Sequence, residues 1–317
     1  VRALLEVGNR DPRRAVSADF GFAAGPRLNA AGRLEDMSLG IRCLLERDPA
    51  KAFAMARELD ELNRERRGIE AEMQRDAEEL LAGLPDDGEM PWGLCLYRPE
   101  WHQGVVGLVA SRLKERLNRP VIAFAPGGDG ELKGSARSVR GFHVRDALAT
   151  LQARSPGLIR RFGGHAMAAG LTLAAEDFPA FAHAFDAEVR RSLDPALLEG
   201  VLETDGELSA AELTLQTAEW LRELAPWGQQ FPEPLFDGEF LLQEQRIVGA
   251  KHLRLALSPV AAPQLRLQAI VFGADTAAWP DPAVRRARLV YRLDVNEYRG
   301  TRSLQLVGEH IERVAEH

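Results

Sequence analysis

Apolar residues recur along the chain with two different periods, and the change from one to the other divides it. After Asp48-Pro49, a plausible N-cap and first helical residue, Gly and Pro are absent up to position 84 apart from Gly68 and Gly83. Within that stretch Leu59, Leu62, Arg66, Ile69, Met73, Asp76, Leu80 and Leu84 follow at spacings of three or four, amid otherwise charged sequence. The pattern predicts a long amphipathic helix with a narrow apolar seam. A coiled-coil arm would share it, but the seam covers few heptads and Arg66 and Asp76 interrupt it, which favours a connector between domains. The PDDGEMP stretch at 85–91 ends the helix.

From 92 to 193 strand and helix patterns alternate. WGLCLY and PVIAFA read as buried strands, with a helix around GLVASRLKERLN between them. GGDG at 127–130 is a tight turn into the strand ELKGSARSV, followed by a short helix VRDALATLQ, a strand GLTL and a closing helix from Asp177 to about Ser192. This is an α/β pattern with mixed strand directions. Beyond 200, Ser209 and Glu212 have the spacing of a capping box and predict a helix running through Trp220 to about Leu224. Five segments of period-two alternation follow, FLLQEQRIV, HLRLAL, LRLQAIVF, RARLVYRLDV and SLQLVGEHI, which predict a small antiparallel barrel of the OB type. The predicted fold class is therefore α/β plus β.

Composition is that of a soluble globular protein, with 45% hydrophobic and 27% charged residues among 317. No apolar run approaches the roughly 18 residues of a membrane span. Two distant cysteines, Cys43 and Cys95, suit neither a disulfide framework nor a zinc site and fit a reducing cytoplasm. The chain starts at Val1 in charged sequence with no signal-peptide pattern, and reads as a piece of a longer protein. Its net charge of −7 conceals a basic segment: residues 90–175 hold twelve Lys and Arg against five acids. Residues 1–33 are also basic, with six Arg against three acids. These basic parts hold the unusual motifs.

Four stretches have compositions that folding alone does not require: GPRLNAAGR at 25–33, WHQGVVG at 101–107, LKGSARS at 132–138 and FGGHAMAAG at 162–170. On a strand, Lys133, Ser135 and Arg137 share one face and offer a hydroxyl and two cations to a phosphate, although a basic solvent-facing strand would look the same. His102 and Gln103 fall near a predicted helix N-terminus, where free N–H groups favour anions; a structural role for His102 fits equally well. Gly163 and Gly164 precede His165 and remove Cβ atoms, so that a ligand can approach the main chain. Imidazole there can donate to a phosphoryl oxygen, act as a general acid or bind a metal; the alternative is a core histidine on a small-residue turn. No cluster around it has metal-ligand spacing, and a GxxxxGK[ST] loop is absent.

Taken together and in this order, the four motifs resemble the RecJ family, bacterial single-strand-specific 5′→3′ DNA exonucleases of the DHH phosphoesterase superfamily. The resemblance implies four regions: 1–40 as the end of a DHH domain, 41–88 as a helical connector, 89–193 as a DHH-associated domain and 194–317 as an OB-fold. It implies Mn²⁺ or Mg²⁺ chemistry, but the Asp-rich and Asp-His-His ligand motifs of the family are missing from this chain. Asp19 reads as a remnant of that core which cannot build a two-metal site alone. By resemblance His165 is the catalytic residue, facing the scissile phosphate across an interdomain cleft. Ser135 and Arg137 would hold strand phosphates, including the 5′ end, with Arg33 contributing from the DHH side and His102, Gln103 and Lys133 in support. Trp227, Phe231, Tyr291 and Tyr298 are candidates for stacking bases, and each could equally be barrel core. The implied partners are single-stranded DNA, a single-strand-binding protein and a helicase, with no membrane. Two other functions share these features: a non-catalytic single-strand-binding or replication-scaffold module, and a DHH phosphoesterase acting on short oligonucleotides or cyclic dinucleotides.

Overall fold

A computed structural model describes residues 1–83, 90–228, 231–249, 251–298 and 300–314. They form two compact units, one of residues 1–13 and 21–201 and the other of 14–20 and 202–317. The short segment 14–20 thus groups with the C-terminal residues and not with the helices on either side of it in sequence.

In the first unit, helices α1 (Arg2–Val7), α3 (Gly25–Leu34) and α4 (Ser38–Leu45) pack on the N-terminal half of α5 (Pro49–Ala82). Between α1 and α3 stands α2 (Ser17–Asp19), which belongs to the second unit. The long helix starts as its sequence predicts, with the Asp48 side chain accepting from the Ala50 and Lys51 amides and Pro49 at the first position. Leu84, and residues 85–89 of the predicted terminator, lie outside the described residues. The two polar interruptions of its seam have partners. Arg66 pairs with Glu70 and donates to Asn63, and Asp76 accepts from the Trp101 indole at 3.1 Å. A buried Arg27–Asp60 pair, 2.7 Å apart, ties α3 to α5. The same helix therefore serves two cores, Leu59 and Leu62 in one and Met73 and Ala77 in the next.

That next core lies on one face of a five-stranded sheet of order β1-β2-β3-β5-β4: β1 (Leu94–Tyr97), β2 (Val121–Gly128), β3 (Glu131–Arg137), β4 (Arg161–His165) and β5 (Ala168–Ala174). Only β1 and β2 pair in parallel; β3, β5 and β4 are antiparallel neighbours. Strand β2 is buried on both sides. Val121, Ala123 and Ala125 face α6 (Val106–Leu117) and α5, while Ile122 and Phe124 face α7 (Val144–Arg154) and α8 (Phe178–Ser192). Phe181 and Phe185 are fully buried there, each contributing about 2–3 kcal/mol relative to exposure. Helix α6 covers β2 and reaches β3. On the same face the outer strands β5 and β4 carry exposed positions at Gly170, Gly163 and His165. Strand β4 is absent from the sequence prediction, which placed FGGH on a turn; two consecutive glycines mask the strand pattern.

In the second unit β6 (Phe236–Val248), β7 (His252–Pro259), β8 (Leu267–Val271), β9 (Arg286–Tyr298) and β10 (Thr301–Arg313) close a barrel of order β10-β8-β7-β6-β9. Strand β10 pairs with β8 in parallel and with β9 antiparallel, the OB arrangement. The predicted helix before it starts later than its capping box. Only half of the capping box forms: the Glu212 carboxylate accepts from the Ser209 amide at 2.8 Å and from its hydroxyl at 2.7 Å, while the Glu212 amide donates to the Ser209 carbonyl and closes only a turn. Helix α9 runs from Leu215 to Leu224 and is capped by Thr214, whose hydroxyl accepts from the Thr217 amide. Among the described residues no helix is long and apolar enough to cross a membrane.

Burial alone pushes the Glu188 carboxyl up, but bonds from Arg191 and Ser192 and the charges of Arg191 and Arg154 outweigh it and hold the group below its ordinary value. A depressed carboxylate contributes stability above its unfolded pKa and loses it as pH falls through the folded value. Glu188→Gln is therefore expected to lower stability at pH 7 and to flatten its fall below about pH 4, near the ordinary glutamate pKa, in urea unfolding followed against pH. Parallel pH profiles for the two proteins would contradict this.

Candidate nucleic-acid interface

The candidate residues converge where the end of α3 meets the turn between β1 and α6. Residues 101–105 fold into that turn because His102 organises it. Its Nδ1 accepts from the Gly104 amide at 3.1 Å, and its carbonyl accepts from the Val105 and Val106 amides. Gly104 is required by a neighbour, since a Cβ there would stand 2.0 Å from the Arg33 carbonyl oxygen. In return Arg33 Nη1 donates to the Gly104 carbonyl at 3.1 Å. Helix α3, which carries the GPRLNAAGR stretch, is thereby locked against the first turn of α6. No side chain caps α6; the His102 and Val105 carbonyls take its Val106 and Leu108 amides, which leaves the Gly107 amide at a helix end that favours an anion.

Arg137, at the end of β3, lies across that turn. Its Nε donates to Ser111 Oγ at 3.1 Å, and its Nη1 to Ser135 Oγ at 3.0 Å and to the Ala136 carbonyl at 2.8 Å. A Cβ on Gly107 would come within 2.7 Å of Arg137 Nη2 and 2.9 Å of Ser135 Oγ, so glycine admits both groups to the helix end. Among the described residues Nη2 has no acceptor, and neither Arg137 nor Arg33 has a carboxylate partner. Burial, and then the positive charge of Arg33, hold the Arg137 pKa below its ordinary value. Arg66 is also lowered, chiefly by burial; its own carboxylate Glu70 opposes this, while Arg67 and Arg33 add to it. Like charges held together at an uncapped helix N-terminus, itself positive, form a site that gains from an anion.

The sheet register relates this site to His165. Arg137, Ala168 and His165 are direct lateral neighbours across β3, β5 and β4, and so are Ser135, Gly170 and Gly163. Lateral neighbours share a face, so Arg137, Ser135 and His165 look out from one surface, with the Arg137 and His165 backbones about 10 Å apart, two strand spacings. Between them the surface is bare. A Cβ on Gly163 would meet nothing within 4 Å, and one on Gly170 only the Gly134 carbonyl at 4.0 Å. Gly164 differs: its φ is +146°, and a Cβ would run into β5 at 2.3 Å from the Ala168 carbonyl, so it serves strand pairing. His165 is exposed, and its Nδ1 accepts from the Met167 amide at 3.3 Å. That bond leaves the proton of the neutral ring on Nε2 as a donor. Lys133 and Arg161 occupy the next row along the same face, on either side of Thr172, while Gln103 is exposed in the α6 turn.

Ser111 and Gly170 belong to this constellation without having been singled out by sequence, and Arg66 is legible there only as a break in the α5 seam. Gly107 and Ser111, four apart on a helix, share a face, which was the available signal. The barrel candidates divide. Trp227 and Phe231 stack with centroids 4.8 Å apart, and Phe231 is 53% exposed. Tyr291 is not available to a base: it is fully buried in the barrel core between Phe236 and Phe240. Its place follows from β9, where it faces inward with Leu289 and Leu293. The side chain of Tyr298, at the end of β9, lies outside the described residues.

Residues 93–191 match the DHHA1 domain family and residues 204–310 the RecJ OB domain family. The single-stranded-DNA-specific exonuclease RecJ of Dickeya dadantii is 55% identical over 98% of this chain and 54% of its own length. The Escherichia coli protein of that name is 53% identical over the same shares. The chain belongs to the RecJ family. The crystal structure of RecJ in complex with Mg²⁺ from Thermus thermophilus matches 100% of this chain and 46% of its own, with a TM-score of 0.77 and 29% identity. The Mn²⁺ complex of RecJ from the same organism also scores 0.77. The chain thus spans about half the length of the RecJ relatives it matches. Among the described residues no group of His, Cys, Asp and Glu could hold a metal ion. Asp19, the one carboxylate singled out for that core, accepts from the Val16 amide at 3.1 Å. The described residues do not fit a divalent metal.

The glycines separate interlocking from open floor, and substitution distinguishes them. Gly104→Ala is expected to destabilise the protein by on the order of 2 kcal/mol or more, because its Cβ meets backbone. Gly163→Ala is expected to leave the thermal midpoint unchanged. Equal midpoints for the two variants would contradict the interlock.

Proposed function

We propose that this chain is the phosphate- and strand-binding half of a single-strand-specific 5′→3′ DNA exonuclease, whose divalent metal is held by residues outside it. The observation that carries the reading is the pair Arg33 and Arg137, without carboxylate partners, beside Ser135 at the edge of a bare sheet face that ends at His165. A phosphodiester laid on that face would give Arg137 Nη2 and the Gly107 amide an acceptor and relieve the repulsion between the guanidiniums. His165 Nε2 would donate to the next oxygen along the strand and stabilise charge as it develops. Glycine at 163 and 170 lets the backbone lie directly on the sheet. The named activity of the RecJ relatives and their Mg²⁺- and Mn²⁺-bound structures support the reading.

In this reading residues 1–40 end a DHH domain, 41–88 connect it to the DHH-associated domain at 89–193, and 194–317 guide the incoming strand. The setting is cytoplasmic DNA repair and recombination, with a single-strand-binding protein and a helicase as partners.

Binding of a 5′-phosphorylated oligonucleotide to the chain, followed by fluorescence anisotropy, is expected to weaken about 10- to 100-fold in Arg137→Ala, the loss of one charge-assisted contact. The salt dependence should fall by about one phosphate contact. In an enzyme joining this chain to a metal-binding half, His165→Ala is expected to lower kcat on the order of 10²-fold. Unchanged binding in the first variant, or unchanged turnover in the second, would sink the corresponding role.

A further inference from the structure

We propose that Phe272 and His252, on the outer surface of the barrel, form a stacking site for one unpaired base of a single strand, with Arg254 and Lys251 beside its phosphates. The site rests on the single-strand reading above and adds to it a platform distinct from the Trp227–Phe231 pair.

Strand β7 alternates so that Leu253, Leu255 and Leu257 point into the barrel, which turns His252 and Arg254 outward. Leu253 pairs with Val271, so His252 falls opposite Phe272, just past the end of β8. The two rings meet edge to face, with centroids 5.1 Å apart and planes at 76°. The imidazole is fixed in that pose, because its Nδ1 accepts from the Gly273 amide at 3.1 Å. Phe272 nevertheless remains 59% exposed, a ring held in place by a neighbour and left open on the outside. Such a ring adds little to the barrel core, and a preset aromatic face is what an unstacked base requires.

The charges around it match a nucleic-acid strand. Arg246 of β6 pairs laterally with Arg254, and Lys251 is exposed in the turn between β6 and β7. Glu244 is 3.7 Å from Arg246. Arg254 donates only to the Gln268 side chain, and among the described residues neither it nor Lys251 has a carboxylate partner. The second and third strands of the barrel, with the loop joining its first two, are also the face on which OB-folds take single strands.

The test uses the whole chain and oligothymidylates carrying 2-aminopurine at successive positions. Phe272→Leu, which keeps an apolar side chain but removes the ring, is expected to bind about tenfold more weakly, to lose the fluorescence quenching seen at one position, and to keep the wild-type thermal midpoint. Phe272→Trp is expected to restore both binding and quenching. If wild-type protein binds and Phe272→Leu shows the same affinity and the same quenching, the stacking site is overturned while the single-strand reading stands. If wild-type protein binds no oligonucleotide, the single-strand reading fails and this site fails with it.

Discussion

The candidate interface depends on one close approach, that of the Gly104 backbone to the Arg33 carbonyl. Arg33 and Arg137 come from a helix and a strand far apart in sequence, and their like charges oppose being brought together. The contact between the end of α3 and the α6 turn holds them there, with Arg27 and Asp60 anchoring α3 to the long helix behind it. Folding supplies the energy that keeps two guanidiniums near one another, and a bound phosphate would recover part of it. Glycine at 104 and 107 is therefore a condition of the electrostatics.

Much of this was legible from residues. The long helix with its Asp48 cap, the α/β alternation and the five barrel strands follow from periodicity and capping chemistry. Lys133, Ser135 and Arg137 share a face as strand spacing requires. Other features were hidden for physical reasons. Strand β4 contains two adjacent glycines, so its pairing depends on β5 and not on local propensity. Ser209 and Glu212 make one of the two capping-box bonds around a turn, and the helix waits for Thr214. Tyr291 was readable as core: Ala287, Leu289, Tyr291, Leu293 and Val295 alternate inward along β9. Gly163 is legible as a residue that opens the main chain to a ligand; Gly170 beside it on β5 is not, because only the sheet register brings the two together.

In the proposed reading each unit carries its own means of holding a strand. In the α/β unit it is fixed charge beside open backbone, which recognises phosphate and ignores the base. On the barrel it is exposed rings among arginines and a lysine, which hold a base by its face and require it to be unpaired. On that reading selectivity for single strands would come from the aromatics and grip from the guanidiniums. The described residues hold no ligand set for the Mg²⁺ or Mn²⁺ seen in the RecJ relatives, and in the proposed reading the chain binds and orients the strand.

The most direct measurement is a crystal structure of the chain with a short 5′-phosphorylated oligonucleotide. The account predicts a phosphate bonded to Arg137 Nη2 and Ser135 Oγ, its backbone lying over Gly170 and Gly163 towards His165. An oligonucleotide bound elsewhere, with that sheet face empty, would contradict it.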